Sequence, residues 1–449
     1  MSLRSAPAAA PRGKERAGSA PSAPGAADLF LFAALAVQLA IVLHLRVTAW
    51  PEVTTPGYLW SRGMVMYRDI KLQHTPATTG SLALAFLAFG PRTWVVRAYA
   101  ILWPLLAHVF LLRQTRPFPL WNRALASAFF LAVFFSTDGN AVWPTVVMAA
   151  FAIPIAGALS RGRMARAGLL LGVAILFKQT AAYALILAAA WLLIRRRRRD
   201  AATLFGFACA PYFVTLAVLS LFGAGTAMLR WTVLVPFTIH TDLVVFRPSI
   251  GTAAALLFGF VPLAVDAALE KPGERAVSSG WLLLVAVGLV LICYPRFQVL
   301  QTVASVPCLA VGAARLMDRR PRALGRAAAA FVAVLALSRG AILALGADWD
   351  GRVLFWDDDP ALNSVIERLR MMPKTTPLYS ELWGNVHPRA EMIPPGGIYQ
   401  HPWFPFFLGV DQTGERMRRA NATPGTVIVG YRDSRPAVET IGPYAILRR

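Results

Sequence analysis

The chain has 449 residues, of which 57% are hydrophobic and only 15% are charged, and its mean hydropathy is +0.53. Soluble domains carry closer to ~25% charged residues, so the composition excludes an ordinary soluble enzyme. The formal net charge of +22 comes entirely from residues 1–346, which hold 33 basic and 11 acidic residues, whereas residues 347–449 hold 12 of each. The basic residues cluster between apolar blocks without interleaved aromatic residues. This distribution is typical of membrane topology and argues against a nucleic acid partner.

Residues 1–27 are rich in Ala, Pro, Gly and Ser, and such a segment cannot bury a hydrophobic core. We predict a disordered cytoplasmic tail here, followed by a multi-span membrane domain over residues 28–346. Eleven apolar blocks in that domain are candidate transmembrane helices, although several fall short of the ~20 residues of a full crossing. The blocks are 29–45, 92–112, 124–136, 143–159, 167–177, 180–194, 201–222, 252–269, 280–294, 302–317 and 327–346. The predicted fold class is an all-α polytopic membrane protein with about 11 (roughly 10–13) transmembrane helices.

Basic connectors set the predicted orientation, because positively charged loops remain on the cytoplasmic side of a membrane. With the N-terminus in the cytoplasm, every strongly basic loop falls on that side. These loops contain Arg113, Arg116 and Arg123; Arg161, Arg163 and Arg166; Arg195 to Arg199; Lys271 and Arg275; and Arg315, Arg319, Arg320, Arg322 and Arg326. A full crossing by residues 77–90 would reverse all of them, so we interpret that segment as lying along or dipping into the outer face. Frequent Ala and Arg are typical of a GC-rich bacterium, and the predicted location is its cytoplasmic (inner) membrane.

The C-terminal tail differs in composition from the rest of the chain, with more charge and many prolines. Asp359 and Pro360 have the residue types of a helix N-cap and first helical position, which predicts a helix through about Met372. Thr426–Tyr431 follows a Pro-Gly turn and reads as a strand. We predict a small α/β domain on the extracytoplasmic face. The topology thus leaves three large segments outside, which are 46–91, 223–251 and 347–449.

The first external loop, residues 46–91, contains two carboxylates, Glu52 and Asp69, together with the cationic residues Arg68 and His74. Long ordered loops are usually functional. Carboxylates beside cations at a membrane surface suit a general base next to phosphate-binding groups. The alternative is a solvated loop with ordinary surface ion pairs.

Asp138 and Lys178 are two further candidates. Asp138 lies at the outer end of a predicted span in an Asp-Gly sequence, which also fits a plain turn. Lys178 lies between two apolar stretches, so its side chain either points into a cavity or reaches the lipid headgroups.

Three further arginines depart from the cytoplasmic bias of the strongly basic loops. Arg296 and Arg247 fall in predicted external segments, where a cation is suited to an anionic headgroup or a lipid phosphate. Arg339 lies inside the last apolar block, which marks either a functional residue or a span boundary that differs from the predicted one.

Several familiar catalytic motifs are missing from the sequence. It contains no H-E-x-x-H metal motif, no P-loop and no G-x-S-x-G elbow, which argues against an ATPase and a serine hydrolase. No cofactor motif is evident, and dependence on a divalent metal is left open.

Four stretches of the sequence are informative when taken together. They are Arg62–Ile70 with His74–Pro76, Phe89–Arg97, Gly172–Thr180 and Tyr294–Phe297. The first reads Arg-Gly-Met-Val-Met-Tyr-Arg-Asp-Ile followed by His-Thr-Pro. In order, they resemble the first external loop, the entry to the second span, the "Gly … Lys-x-Thr/Gly" stretch and a late external loop of the GT-C superfamily of integral-membrane glycosyltransferases. The resemblance is in particular to the bacterial branch related to protein O-mannosyltransferases and lipid A aminoarabinose transferase.

This resemblance implies transfer of a sugar from a polyprenyl-phosphate donor at the outer membrane face. An external-loop carboxylate is expected to activate the acceptor hydroxyl, which attacks the anomeric carbon with inversion. By position, Glu52 matches the early-loop base and Asp69 the Asp of the Tyr-x-Asp element. The family usually has Asp at the first position, so the assignment of the base between these two stays open.

The same resemblance implies roles for other charged residues. Lys178 matches a lysine that binds the donor phosphate, Arg296 is a further phosphate candidate, and Asp138 matches a second external acidic position. Arg68, His74 and Arg247 complete the candidate substrate-binding groups. The implied partners are a polyprenyl-phosphate-linked sugar, membrane lipids and an acceptor protein, lipid or glycan.

Two other classes remain as alternatives. A transporter or flippase of a lipid-linked or anionic substrate would explain the cations without a base. Such proteins commonly show paired halves with broken helices, and the sequence shows no such symmetry. The other alternative is a membrane scaffold without catalytic activity.

Overall fold

The structure is a computed structural model in which helices dominate. The described residues are 25–235, 250–271, 277–291, 299–319, 322–382, 384–397, 399, 410–433 and 437–448. Within these ranges, the helices before residue 347 are α1 Ala26–His44, α2 Pro51–Ser61, α3 Ala77–Phe89, α4 Thr93–Thr115, α5 Leu120–Phe135, α6 Pro144–Ser160, α7 Met164–Phe177, α8 Ala182–Ile194, α9 Arg198–Leu221, α10 Gly225–Leu229, α11 Ile250–Leu269, α12 Ser279–Val290, α13 Val306–Met317 and α14 Arg322–Gly346. Short 3₁₀ segments cover Gln179–Ala181 and Val299–Ser305, and a π-helical turn covers Arg230–Leu234.

Each of the eleven apolar blocks coincides with a helix, as their composition predicts. Within the described ranges, four helices are both long and apolar enough to cross a membrane. They are Thr93–Thr115, Arg198–Leu221, Val299–Met317 and Arg322–Gly346. The number of crossings and the orientation stay predictions.

The segment that we interpret as interfacial forms α3 and packs on α2. Gly80 makes this close approach possible, because a Cβ atom there would lie 2.9 Å from the ring of Trp60. A larger side chain at this position would force the Trp60 ring to shift. Together α2 and α3 frame the first external loop.

Helices α7 and α9 make an equally close contact through small residues. A Cβ at Gly168 would lie 2.4 Å from the Leu204 carbonyl oxygen, and one at Gly172 would lie 2.3 Å from that of Ala208. Small residues spaced four apart let membrane helices approach at backbone distance. This packing fixes the end of α7, where Lys178 lies.

A paired charge network joins α11, α12 and α13. Asp266 is fully buried and forms a salt bridge with Arg319. It also accepts a hydrogen bond from the Ser279 hydroxyl, which accepts one from Arg315 at 2.8 Å. Such a network is stable in an apolar interior only because every charge has a partner.

The segment after α14 combines helices with short strands. Its helices are α15 Pro360–Arg370, α16 Val386–Ala390 and α17 Val410–Ala422. Strand β1, Val47–Thr48, pairs in parallel with β2, Val353–Leu354. A four-stranded sheet has the order β3-β4-β6-β5, with β3 and β4 parallel and the other pairs antiparallel; its strands are β3 Leu378–Ser380, β4 Val427–Tyr431, β5 Glu439–Ile441 and β6 Tyr444–Arg448.

Both local predictions for this segment are confirmed. Asp359 caps α15, with its side chain accepting a hydrogen bond from the Leu362 amide at 3.0 Å, and Pro360 is the first helical residue. The helix ends at Arg370, two residues before the predicted end at Met372. The predicted strand is β4.

Asn385 attaches this segment to the start of α2. Its side-chain amide donates to the carbonyl oxygens of Ala49 and Phe355, both at 2.9 Å, and its amide oxygen accepts from the Thr54 hydroxyl. A fully buried amide with this many partners fixes the two chain segments relative to each other. The division into domains and the outer location of the C-terminal segment stay predictions.

Candidate active site

Glu52 lies in the first turn of α2. Pro51 begins the helix, where its fixed φ angle is already helical and its missing N–H costs no hydrogen bond. The Glu52 residue is buried, with 5% of its surface exposed. The N-terminal end of a helix favours a negative charge. The start of α2 therefore holds a carboxylate inside the protein rather than on a solvated loop.

Lys178 lies where α7 ends. The helix ends at Phe177, and the Lys178 backbone is extended, with φ −154° and ψ 119°, before the 3₁₀ turn that leads into α8. Its side chain points inward: the residue is 5% exposed and Nζ donates to the side-chain oxygen of Gln301. Of the two expectations for this lysine, the structure agrees with the internal position and not with a side chain reaching the headgroups.

Trp143 is the residue around which the other groups gather. Its ring centroid lies 5.7 Å from that of Trp50, which precedes Glu52 by two residues, and 5.5 Å from the His74 ring. The Lys178 ammonium lies 5.9 Å from the same indole, within the range of a cation–π contact. The structure thus brings His74, Lys178 and the first turn of α2 together around one side chain.

The C-terminal segment contributes to this cluster. The Phe355 ring lies 5.5 Å from Trp50, and the Phe355 carbonyl oxygen is one of the acceptors of Asn385. The surroundings of Trp50 are therefore built from both the first external loop and the chain after α14.

The Asp69 carboxylate is hydrogen-bonded within a tight turn of the first external loop. Its carboxylate accepts a hydrogen bond from the Val65 amide at 2.8 Å and two from the Arg68 guanidinium at 3.0 and 2.9 Å. The Asp69 amide in turn donates to the Val65 carbonyl at 2.9 Å, and Tyr67 adopts a positive φ of 67° inside the turn. Arg68 also donates to the Phe222 carbonyl at 3.2 Å.

These contacts set the protonation of Asp69. The hydrogen bonds from Arg68 are the largest cause of a pKa below the usual carboxylate value, and the Val65 amide adds to the effect. A carboxylate with a lowered pKa accepts a proton less readily. The Asp69 carboxylate and the Arg68 guanidinium thus bind each other and nearby backbone groups.

The end of the loop is fastened to the turn that carries Lys178. The Gln179 side chain donates to the Gln73 carbonyl at 2.8 Å, and the Tyr67 hydroxyl donates to the His74 carbonyl at 2.8 Å. The Thr75 hydroxyl donates to the Ile175 carbonyl at 2.8 Å. These bonds hold His74 next to the end of α7.

Asp138 lies in the turn between α5 and α6 with a positive φ of 61° and an exposed side chain. Its neighbours fasten this turn to the start of the first external loop: Asn140 donates to the Arg46 carbonyl, and the Val142 amide to the Thr48 carbonyl at 2.8 Å. Arg247 and Arg296 lie outside the described residues. Among the residues that are described, no group of three His, Cys, Asp or Glu side chains is arranged to hold a metal ion.

Sequence reasoning missed Trp143 and Gln301. Gln301 lies 123 residues after Lys178 in the chain, and no short motif relates the two. The sequence does place Trp143 at a helix start, since it directly precedes the proline that begins α6. That position does not indicate which residues lie around Trp143 in space.

The overall fold matches crystal structures of ArnT from Cupriavidus metallidurans. The structure bound to undecaprenyl phosphate aligns with a TM-score of 0.61 and 14% sequence identity over 93% of this chain and 97% of that chain. The apo structure aligns with a TM-score of 0.62 and 16% identity over 93% and 96%. No family model matches the sequence, and no curated protein matches it significantly. The chain therefore has the fold of these ArnT structures.

Proposed function

We propose that the protein is a membrane glycosyltransferase that moves a sugar from a polyprenyl-phosphate-linked donor to an acceptor hydroxyl at the outer face of the membrane. The supporting observation is the cluster of His74, Lys178 and the first turn of α2 around Trp143. It occurs in the fold of a protein that has been crystallised with undecaprenyl phosphate. The acceptor hydroxyl belongs to a protein, a lipid or a glycan.

Glu52 is the general base in this proposal. It takes the proton of the acceptor hydroxyl as the acceptor oxygen attacks the anomeric carbon. The bond from that carbon to the donor phosphate oxygen breaks on the opposite face, which inverts the configuration. Glu52 is assigned this role because it lies buried in the first turn of α2, two residues after Trp50, whose ring contacts Trp143.

Lys178 stabilises the leaving group. The phosphate oxygen takes the electron pair of the broken bond, so negative charge grows there in the transition state. An ammonium group already held in a buried position stabilises that charge without reorganising solvent. The Gln301 side chain orients Lys178, and the Trp143 indole lies beside both the ammonium and the His74 ring.

The remaining candidates have supporting roles. Asp69 and Arg68 position the first external loop, and His74 lines the substrate side of the cluster. Arg247 and Arg296 are proposed as further cations for the phosphate, and Asp138 as a polar group on the acceptor side.

The direct test is an assay of the purified protein in vesicles with radiolabelled polyprenyl-phosphate sugars. We expect release of polyprenyl phosphate together with a glycosylated product, both lost in Glu52→Gln and kept in Glu415→Gln, a substitution on the exposed side of α17. Movement of intact donor across the vesicle without product would replace this proposal with the flippase. If donor is neither consumed nor moved, the scaffold remains.

A further inference from the structure

Arg339 lies inside a membrane-type helix rather than at its boundary. Helix α14 continues to Gly346, so about 10 Å of helix, at ~1.5 Å per residue, separates Arg339 from the helix end. The guanidinium of arginine remains charged at any physiological pH. A permanent charge in an apolar span is costly unless an anion or a polar environment compensates it.

Other arginines in the bundle have such compensation. Arg319 pairs with Asp266, Arg315 donates to Ser279, and the Arg123 guanidinium lies 4.5 Å from the centroid of the Phe30 ring. Arg339 differs: within the described ranges, no hydrogen bond or ion pair joins it to another residue. Its compensation then comes from a polar environment or from an anion outside those ranges or outside the chain.

Arg339 lines a cleft between α5, α11, α13 and α14. The cleft has a volume of about 60 Å³. Since a cavity needs ~10–15 Å³ to hold one water, the cleft has room for about four to six oxygen-sized groups, enough for the four oxygens of one phosphate. The polar lining consists of Arg339, Ser338, Thr137, Thr302 and Ser305.

The cleft lies beside a surface suited to lipid. On α14, Val334 is 65% and Leu337 73% exposed, and on α11, Leu257 is 68% and Phe258 51% exposed. The α11 residue that follows Phe258, Gly259, lines the cleft itself. Large apolar side chains exposed on spanning helices face acyl chains, so a ligand reaching Arg339 from this side is a lipid.

A 3₁₀ segment separates this cleft from the candidate active site. With three residues per turn, Val299, Thr302 and Ser305 share one face, and all three line the cleft. Gln301 lies on another face and contacts Lys178. The two sites are therefore distinct and share one wall.

We propose that this cleft binds the phosphate group of a membrane lipid, with the Arg339 guanidinium as its cationic partner. The guanidinium donates to the phosphate oxygens in the paired geometry that arginine favours. The hydroxyls of Thr302, Ser305 and Ser338 now donate to carbonyl oxygens three residues earlier, at 2.8, 2.8 and 3.0 Å. Because a hydroxyl proton rotates, each of them can donate to a bound phosphate oxygen in place of its carbonyl acceptor.

The test measures lipid retained by purified protein in native mass spectrometry. The probes are phosphatidylglycerol, a diacylglycerol with the same chains but no phosphate, and inorganic phosphate. Polyprenyl phosphate is a fourth probe, used in a Lys178→Met background so that the proposed donor site does not contribute. The variants are Arg339→Gln, Arg339→Lys, Thr302→Val and the control Arg113→Gln, which removes an exposed arginine at the end of α4.

We expect Arg339→Gln to reduce retention of at least one phosphate lipid by about tenfold or more, as for loss of a charged hydrogen bond. The Arg339→Lys variant should keep part of this lipid retention, and Thr302→Val should reduce the retention less than Arg339→Gln does. The control Arg113→Gln should retain as much lipid as the wild type. The lipid that responds identifies the source, a phospholipid or the polyprenyl carrier.

A purely structural Arg339 would behave differently. If the cleft is a lipid site, Arg339→Gln removes an uncompensated charge, so the delipidated protein should melt no lower than the wild type. Equal retention of phosphate lipids by Arg339→Gln and the wild type would overturn the proposal. So would equal retention of diacylglycerol and phosphatidylglycerol, or Arg339-dependent binding of inorganic phosphate alone.

Discussion

The two carboxylates of the first external loop are only 17 positions apart in the sequence, yet the structure treats them differently. Glu52 is buried in the first turn of a helix, two residues after Trp50, whose ring lies 5.7 Å from that of Trp143. Asp69 is more exposed, at 29% of its side chain, and its carboxylate is engaged by Arg68 and the Val65 amide. Residue type therefore does not decide which acid takes part in chemistry. The distinction comes from where each carboxylate lies: Glu52 is buried at the start of α2, whereas Asp69 is bound within a turn of the loop.

The largest effect is expected for Glu52→Gln. This substitution keeps the size of the side chain but removes the base, so kcat should fall by about 10³-fold, within the ~10²–10⁴ that general bases contribute. The melting temperature should change little, because no charge is newly buried. The measurement is turnover of labelled donor beside a melting curve. A Glu52→Gln protein with wild-type turnover would contradict the proposed base.

The second effect is expected for Lys178→Met, which keeps the length of the side chain without its charge. The apparent KM for the donor should rise by about 10–100-fold, because a hydrogen bond to a charged group contributes ~1.5–3 kcal/mol. The KM for the acceptor should remain near the wild-type value. Steady-state kinetics with each substrate varied in turn make this comparison.

A charge-conserving variant completes the test of Lys178. Lys178→Arg should recover part of the donor affinity if charge is what matters. Unchanged values of both the donor KM and kcat in Lys178→Met would show that the ammonium neither binds the donor phosphate nor stabilises the leaving group.

The sequence predicted the helices well, because their cause is local. Long apolar blocks bounded by arginines specify helices wherever they occur, and Asp359 with Pro360 specifies a helix start through its own cap chemistry. The sequence also identified Glu52 and Lys178 as candidates, through chemistry that is unusual for an external loop and an apolar stretch.

The shape of the site depended on contacts that no local pattern encodes. Trp143 is a neighbour of Lys178 only because α6 and α7 pack side by side, and Gln301 arrives from a segment far along the chain. The sequence did not indicate the hydrogen bonds of Asp69 for the same reason, since they depend on the turn at Tyr67. The periodicity of apolar residues indicates which face of a helix or strand is buried, but it does not indicate which other element packs against that face.

A smaller effect is expected for Asp69→Asn. The amide loses the charged contacts to Arg68, so residues 64–70 should exchange their amide hydrogens faster, and kcat should fall by about tenfold, well below the loss in Glu52→Gln. Hydrogen-exchange mass spectrometry on that loop is the measurement. A loss of activity as large as that of Glu52→Gln, without faster exchange in the loop, would reassign the base to Asp69.

The smallest expected effect is the pH dependence of hydrogen exchange in residues 64–70. The folded state lowers the pKa of Asp69 below the reference value of 3.8. The stabilisation from its charged form is therefore fully present above that value and is lost as the pH falls through the lower pKa of the folded protein. Protection of residues 64–70, corrected for intrinsic exchange rates, should thus be flat from about pH 5 to 8 and decrease only below about pH 4. In Asp69→Asn the decrease at low pH should be absent. A decrease between pH 5 and 8 in the wild type would mean that a group of higher pKa, such as His74, holds the loop in place of Asp69.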